Sequence, residues 1–386
     1  MQSVAKSGAL RTGAGALLQG AERSDSLAKS TGRPFAFLRS SSYLRQGQGG
    51  AAQLHREVAP LKSQPRQASR GAATAMAAAV SAPEATGAAP YLDDPASLID
   101  SVKTFIFDCD GVIWKGESLI DGVPETLDKL RAAGKKLIFV TNNSTKSRKQ
   151  YMKKFTDLGL SVTEEEIFAS SFAAAAYLKG IGFNKKAYII GEVGIQKEMD
   201  IAGISHLGGP EDGQKTIDLS PGVMMEHDHD VGAVVVGFDR YLNYYKLQYA
   251  TLCLRENPGC LFIATNCDAV THLTDAQEWA GGGSMVGAIK GSTKKEPFVA
   301  GKPSTFMMDW IAKSYGIDKS EICMVGDRLD TDILFGQNGG CRTLLVLSGV
   351  TNLKTLQSPD NHIQPDFYAN QISDLLGAKA PAGVAA

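Results

Sequence analysis

The sequence predicts an α/β fold: a parallel sheet flanked by helices, with a second, smaller α/β domain inserted into it. Three observations predict it. Short apolar runs at 102–107, 137–140, 322–325 and 343–347 read as strands buried on both faces, the mark of a parallel sheet. Helical stretches at 123–133, 146–158, 306–315 and 331–337 separate them, the alternation that builds layered α/β domains. Two of the runs, far apart in the chain, stop abruptly in carboxylates. The first ends in Asp108-Cys109-Asp110-Gly111, the later one in Gly326-Asp327-Arg328-Leu329-Asp330-Thr331-Asp332. Open sheets of this class bind ligands beyond the carboxyl ends of their strands, so both acidic clusters are expected at one edge.

The chain has 386 residues, enough for about two domains plus extras. A hydrophobic content of 43% with 21% charged residues is ordinary for a globular protein. The net charge of -1 argues against nucleic acid as a partner. No apolar run approaches the roughly 18 residues that span a bilayer, so no membrane partner is expected. Six cysteines without a CxxC pair point to a reduced compartment, not a disulfide framework.

That balance of charge conceals an asymmetry. Residues 1–80 hold eleven of the 40 Lys/Arg and three of the 41 Asp/Glu, which leaves +8 there and −9 on the rest. This Arg-rich, Ser-rich, acid-poor stretch has the composition of an organelle transit peptide, and it is excluded from the folded body. Composition does not separate chloroplast from mitochondrion.

The folded body begins near Leu92, and 92–160 with 299–380 form the first domain. Residues 111–121 make a loop able to fold over the site. The helix 123–133 takes Asp121 as its cap and Gly134 as its stop. The run 137–140 ends in Thr141-Asn142-Asn143-Ser144, small polar donors suited both to holding a phosphoryl group and to capping the next helix. Residues 161–298 repeat the alternation, with strands at 187–190, 232–237 and 261–265 and helices at 172–179, 194–202 and 244–256, and read as an inserted cap. Within it Glu226-His227-Asp228-His229-Asp230 reads as a solvated loop, because five consecutive residues rarely converge on one ion. Gly281-Gly282-Gly283-Ser284 reads as a turn opening a helix at 285–291.

Paired carboxylates one residue apart fit a nucleophile beside an acid–base group, with a hard cation screening their repulsion, although Asp and Gly also favour simple turns. Gly301-Lys302-Pro303 aims a lysine from the start of a helix. Taken together and in order, Asp108-Cys109-Asp110-Gly111-Val112, Thr141-Asn142-Asn143, Lys302 and Gly326-Asp327 to Asp332 resemble the haloacid dehalogenase-like (HAD) superfamily of phosphohydrolases over about 100–380.

The resemblance implies a Rossmann-like core with a cap, and roles for its residues. Asp108 is implied as nucleophile, Asp110 as acid and base, and Lys302 as the neutralising cation. Thr141, Asn142 and Asn143 are implied to hold the phosphoryl group. Asp108, Asp110 (through its carbonyl), Asp327 and Asp332 are implied to hold Mg2+ or anchor its ligands. The insertion resembles the cap of the 4-nitrophenylphosphatase-like branch. The stretch Ala264-Thr265-Asn266-Cys267-Asp268 to Asp275, continued through Gln277-Glu278-Trp279, is similar to the phosphoglycolate phosphatases of plants and green algae. It implies 2-phosphoglycolate as substrate in the chloroplast stroma, with Asn266, Asp268 and His272 facing it. The same branch leaves open pyridoxal phosphate, another small phosphomonoester or, less simply, a phosphoprotein, and it implies a homodimer through the cap.

Overall fold

Residues 89–271, 273–274 and 276–377 are described by the computed structural model. The basic stretch 1–80 and His272 therefore lie outside the described residues. Six strands form one all-parallel sheet, in the order Phe367–Ala369, Arg342–Val346, Ile322–Gly326, Thr104–Asp108, Lys136–Thr141 and Ile167–Ala169. The central strand Thr104–Asp108 is buried along its whole length, as an apolar run covered on both faces must be. Phe105 and Phe107 point to one face and pack with Val112, Leu127 and Phe155, while Ile106 points to the other.

A second parallel sheet runs in the order Phe298–Val299, Leu261–Ala264, Val231–Val236, Lys186–Ile190 and His206–Gly208. The three longest strands of this sheet are those expected from their apolar runs. The two- and three-residue edge strands are too short to show a period. One boundary moves. Ile167–Ala169, inside the stretch expected to be the insert, pairs with Lys136–Thr141 and so belongs to the first sheet.

The helix Ser170–Gly180 joins the two sheets. Its alanines are small enough to let it lie between them. Ala173, Ala174 and Leu178 share one apolar cluster with Ile106 and Ile138 of the first sheet and Ile189, Val235 and Ile263 of the second. The carboxyl edge of the second sheet also meets the chain leaving Thr141. Gly194 N donates to Thr145 O at 3.1 Å. A Cβ at Gly237 would lie 2.6 Å from Ser144 Oγ and 2.9 Å from Thr265 Oγ1. The carboxyl edge of the insert is thus fastened to the carboxyl edge of the core.

Local chemistry explains most helix ends. Ser147 and Gln150 cap Arg148–Asp157 reciprocally, and Phe306–Tyr315 stops at Gly316 in the left-handed region. Asp121 does not cap the helix Val123–Ala132; Gly122, at φ 77, holds that position and leaves it without a side-chain cap. The glycine run opens a helix as expected, but the helix starts earlier, as Gly282–Thr293. The predicted helix 331–337 is entered through a wide π turn, Leu329–Ile333, before Leu334–Gly339. Such turns are frequent at functional sites, and this one brings the Asp332 carboxylate back over the strand end. Among the described residues no helix is long and apolar enough to cross a membrane.

Candidate active site

The central strand delivers Asp108 to the carboxyl edge of the first sheet, and its neighbour Ile322–Gly326 delivers Asp327 beside it. Lys302 Nζ donates to Asp108 Oδ1 and, at 2.7 Å, to Asp332 Oδ1. The other Asp332 oxygen accepts from Asp327 N and Arg328 N, both at 3.1 Å. Asp327 Oδ2 accepts from Val350 N at 2.7 Å. One oxygen from each of Asp108, Asp327 and Asp332 lies within 4.8 Å of the others, and all three residues are buried. Gly111 is required here: its φ is +86, and a Cβ would sit 2.5 Å from Asp327 Oδ2.

Three buried carboxylates face one buried ammonium. Burial pushes Asp108 well above the usual carboxylate range, Lys302 pulls it back, and Asp332 and Asp327 push it up again. Burial and the Asp332 charge raise Asp327 to about 7. Burial works against the Lys302 charge, but Asp108 and Asp332 outweigh it and hold the ammonium protonated. The cluster therefore lacks positive charge, and its donors are all hard oxygens. Both Asp332 oxygens are already engaged, which leaves Asp108 and Asp327 with an oxygen each for a cation and Asp332 as the anchor behind them.

Asp110 is placed differently. Its residue is exposed, and Oδ1 accepts from Trp114 Nε1 at 2.8 Å. Its carboxylate is outside the acidic triad. The loop after it folds into a two-stranded ribbon, Trp114–Lys115 with Ser118–Leu119. Cys109, between the two aspartates, points into the apolar core and is wholly buried.

Thr141 ends the second core strand, and its Oγ1 accepts from Asn143 N at 3.1 Å, which leaves its hydroxyl proton to donate elsewhere. The Asn143 side chain does not join the site: its Oδ1 accepts from Thr145 N at 3.0 Å and Oγ1 at 2.7 Å in a local turn. Asn142 is a rivet. Its Oδ1 accepts from Lys302 N, and its Nδ2 donates to Lys302 O and to both oxygens of Asp268. Asn266, expected to face substrate, is 4% exposed and engaged at both ends: Nδ2 donates to Asn142 O at 2.7 Å and Oδ1 accepts from Asp268 N at 3.1 Å. It positions the loop. Asp268 is held by Asn142 near Lys302 and Arg328; burial raises its carboxyl against their positive charges.

The geometry has counterparts. The family described as "Haloacid dehalogenase-like hydrolase" matches residues 105–205, and a HAD-hydrolase-like family matches 299–375. A chloroplastic phosphoglycolate phosphatase of Arabidopsis thaliana, 1A, is 74% identical over 295 residues, covering 76% of this chain and 82% of that protein. The chain belongs to the haloacid dehalogenase-like hydrolases.

Three further relatives lie at lower identity. Phosphoglycolate phosphatase 2 of Arabidopsis thaliana is 62% identical over 72% of this chain and 94% of its own length. Human glycerol-3-phosphate phosphatase is 39% identical over 73% of this chain and 92% of its own length. Among solved structures, a p-nitrophenyl phosphatase from Archaeoglobus fulgidus superposes with a TM-score of 0.62 at 33% identity, covering 72% of this chain and 98% of that one.

Two residues of this haloacid dehalogenase-like hydrolase escaped the sequence reading. Arg328 is 20% exposed at its side chain, pairs with exposed Asp330 at 3.0 Å and lends positive charge to Asp268. Its place next to Asp327 was the available signal. Trp114 carried a signal too, as a large aromatic residue four positions after Asp110.

Proposed function

We propose that this hydrolase is a Mg2+-dependent phosphatase that cleaves 2-phosphoglycolate to glycolate and phosphate through an aspartyl-phosphate on Asp108. One observation carries the chemistry: a buried nucleophilic carboxylate hydrogen-bonded to a buried lysine, with two further carboxylates against it. The choice of substrate rests on the 74% identical relative.

In this mechanism Asp108 attacks phosphorus, and Asp110 protonates the departing glycolate oxygen. Asp110, now a carboxylate, takes a proton from water as the water oxygen attacks the same phosphorus and releases Asp108. Lys302 holds Asp108 in place and neutralises phosphoryl oxygens as charge spreads over them. Thr141 donates its hydroxyl, and Asn142 its backbone N–H, to the phosphoryl group. Asp108, Asp327 and the Asp110 carbonyl, with Asp332 as anchor, would hold a Mg2+, which would supply further charge neutralisation. The domain built on the second sheet covers the site as a cap, and Asp268 and His272 select the substrate from it.

A second reading keeps the chemistry and changes the ester, because glycerol-3-phosphate phosphatases are 38–39% identical. Phosphate release from 2-phosphoglycolate, glycerol 3-phosphate and pyridoxal phosphate at equal Mg2+ separates the readings. The expected result is a preference for 2-phosphoglycolate of about a hundredfold in kcat/KM. A preference for either other ester would move the substrate assignment and leave the fold and chemistry standing.

The composition of 1–80 and the chloroplastic relatives support the chloroplast stroma, and with it a photorespiratory role; import into isolated chloroplasts but not mitochondria is the expected result. Exposed Leu219, Val223, Met224 and Tyr244 on the cap support a homodimer there, which sedimentation would report.

A further inference from the structure

Trp114 opens a ribbon whose other residues are exposed or half-buried, yet it is wholly buried. Its ring meets Phe155 edge-on at 4.8 Å between centroids. The Lys154 ammonium lies 4.4 Å from the ring centroid on a face of the indole, and the same group donates to Gly116 O at 2.8 Å. The backbone closes the turn, with Gly111 N donating to Trp114 O at 2.7 Å and Trp114 N donating to Cys109 O at 3.2 Å. The ring is thus locked by core contacts on one side and by the ribbon on the other. Its one polar atom, Nε1, donates to Asp110 Oδ1 at 2.8 Å. Among the described residues no other side chain hydrogen-bonds that carboxylate.

We propose that Trp114 is a positioning residue that selects which oxygen of Asp110 carries the catalytic proton. The inference rests on the acid–base role given to Asp110 above. An indole N–H can only donate, and a carbonyl oxygen accepts it better than a hydroxyl oxygen does, so the bond holds Oδ1 as the carbonyl oxygen of the acid form. In the acid form the proton therefore resides on Oδ2. As the bond from Asp108 to phosphorus forms, the ester P–O bond breaks, its electron pair goes to the leaving oxygen, and that oxygen takes the proton from Oδ2. In the second half the attacking water gives its proton back to Oδ2. Without the indole the carboxylate turns freely, and the proton is divided between two oxygens and many orientations.

The test exploits leaving groups. 2-Phosphoglycolate expels an alkoxide that must be protonated, whereas 4-nitrophenyl phosphate expels a stable phenolate that need not be. Trp114→Phe in the full chain is expected to lower kcat/KM for 2-phosphoglycolate by about tenfold, and for 4-nitrophenyl phosphate by less than about threefold. The ratio of the two is independent of how much of the variant is folded. Should Phe leave too large a cavity, benzothienylalanine at position 114 keeps the ring outline and replaces the N–H by sulfur, with the same expected ratio. Asp110→Asn must show the same bias, more strongly, and Trp114→Phe added to it must not change the ratio further. Equal losses on both substrates in Trp114→Phe, with the bias present in Asp110→Asn, would overturn the positioning role alone. No bias in Asp110→Asn would overturn the acid role and this inference with it.

Discussion

Asn142 holds Lys302 by both sides of its backbone, accepting from its N–H at 2.8 Å and donating to its carbonyl at 3.0 Å. The same amide nitrogen reaches Asp268 of the cap loop at 3.0 Å and 3.2 Å. One side chain of the second core strand's end thus fixes the lysine and ties down the loop that covers it. Asn142→Ala would leave two buried backbone groups unpaired, at about 1–3 kcal/mol each. Its expected effect is a lowered thermal midpoint and a fall in kcat of about tenfold or more, larger than the change in KM. Asn142→Asp, which sets a like charge against Asp268, is expected to be worse on both counts.

Asp108→Asn should reduce phosphate release below about a thousandth of the parent, since no neighbouring side chain replaces the nucleophile. In chelator the same variant should melt higher than the parent, because it removes one of three buried carboxylates that crowd one another. Loss of activity together with a lower midpoint in chelator would contradict the charge argument.

The raised Asp327 gives a pH test. A carboxyl at about 7 when folded, against an ordinary value when unfolded, binds more proton in the folded state between those values. Its stabilising contribution is therefore fully present at acid pH and is lost as pH rises toward about 7. Metal-free protein should melt at progressively lower temperature from about pH 5 to about pH 7.5, and saturating Mg2+ should flatten that slope by replacing the proton. Scanning calorimetry with and without chelator reads both.

Gly111→Ala tests the packing on Asp327. A side chain in the left-handed region costs about 1–2 kcal/mol. Here the Cβ also meets Asp327 Oδ2 at 2.5 Å. Half-saturation by Mg2+ is expected to rise about tenfold or more. Gly134→Ala is the control: its φ is +73, with nothing within 4 Å, so it should lose stability alone and keep its metal dependence.

Much of this was legible in the chain. The strand 104–108 could be read because both its faces are buried and it ends in charge. Asp108, Lys302 and Asp327 could be read only as a set: each alone fits a turn or a surface position, but their order along the chain resembles one family. What could not be read is where the amide side chains point. Asn142 and Asn266 carry the same donors and acceptors whether they face a substrate or a neighbouring backbone. Only the meeting of residues from both sheets sends them inward, to Lys302, Asp268 and Asn142 itself.

The sequence by itself determined the α/β class, the positions of the long strands and the residue types of the charge cluster, because periodicity and abrupt strand ends are local properties of the chain. Tertiary structure alone decided that Ile167–Ala169 joins the first sheet, that Asp332 braces Lys302 with one oxygen and two backbone N–H groups with the other, and that Trp114 takes hold of Asp110. These are directional contacts, some between segments remote in the chain. Their geometry exists only once both sheets have packed against the helix Ser170–Gly180 and brought their carboxyl edges together.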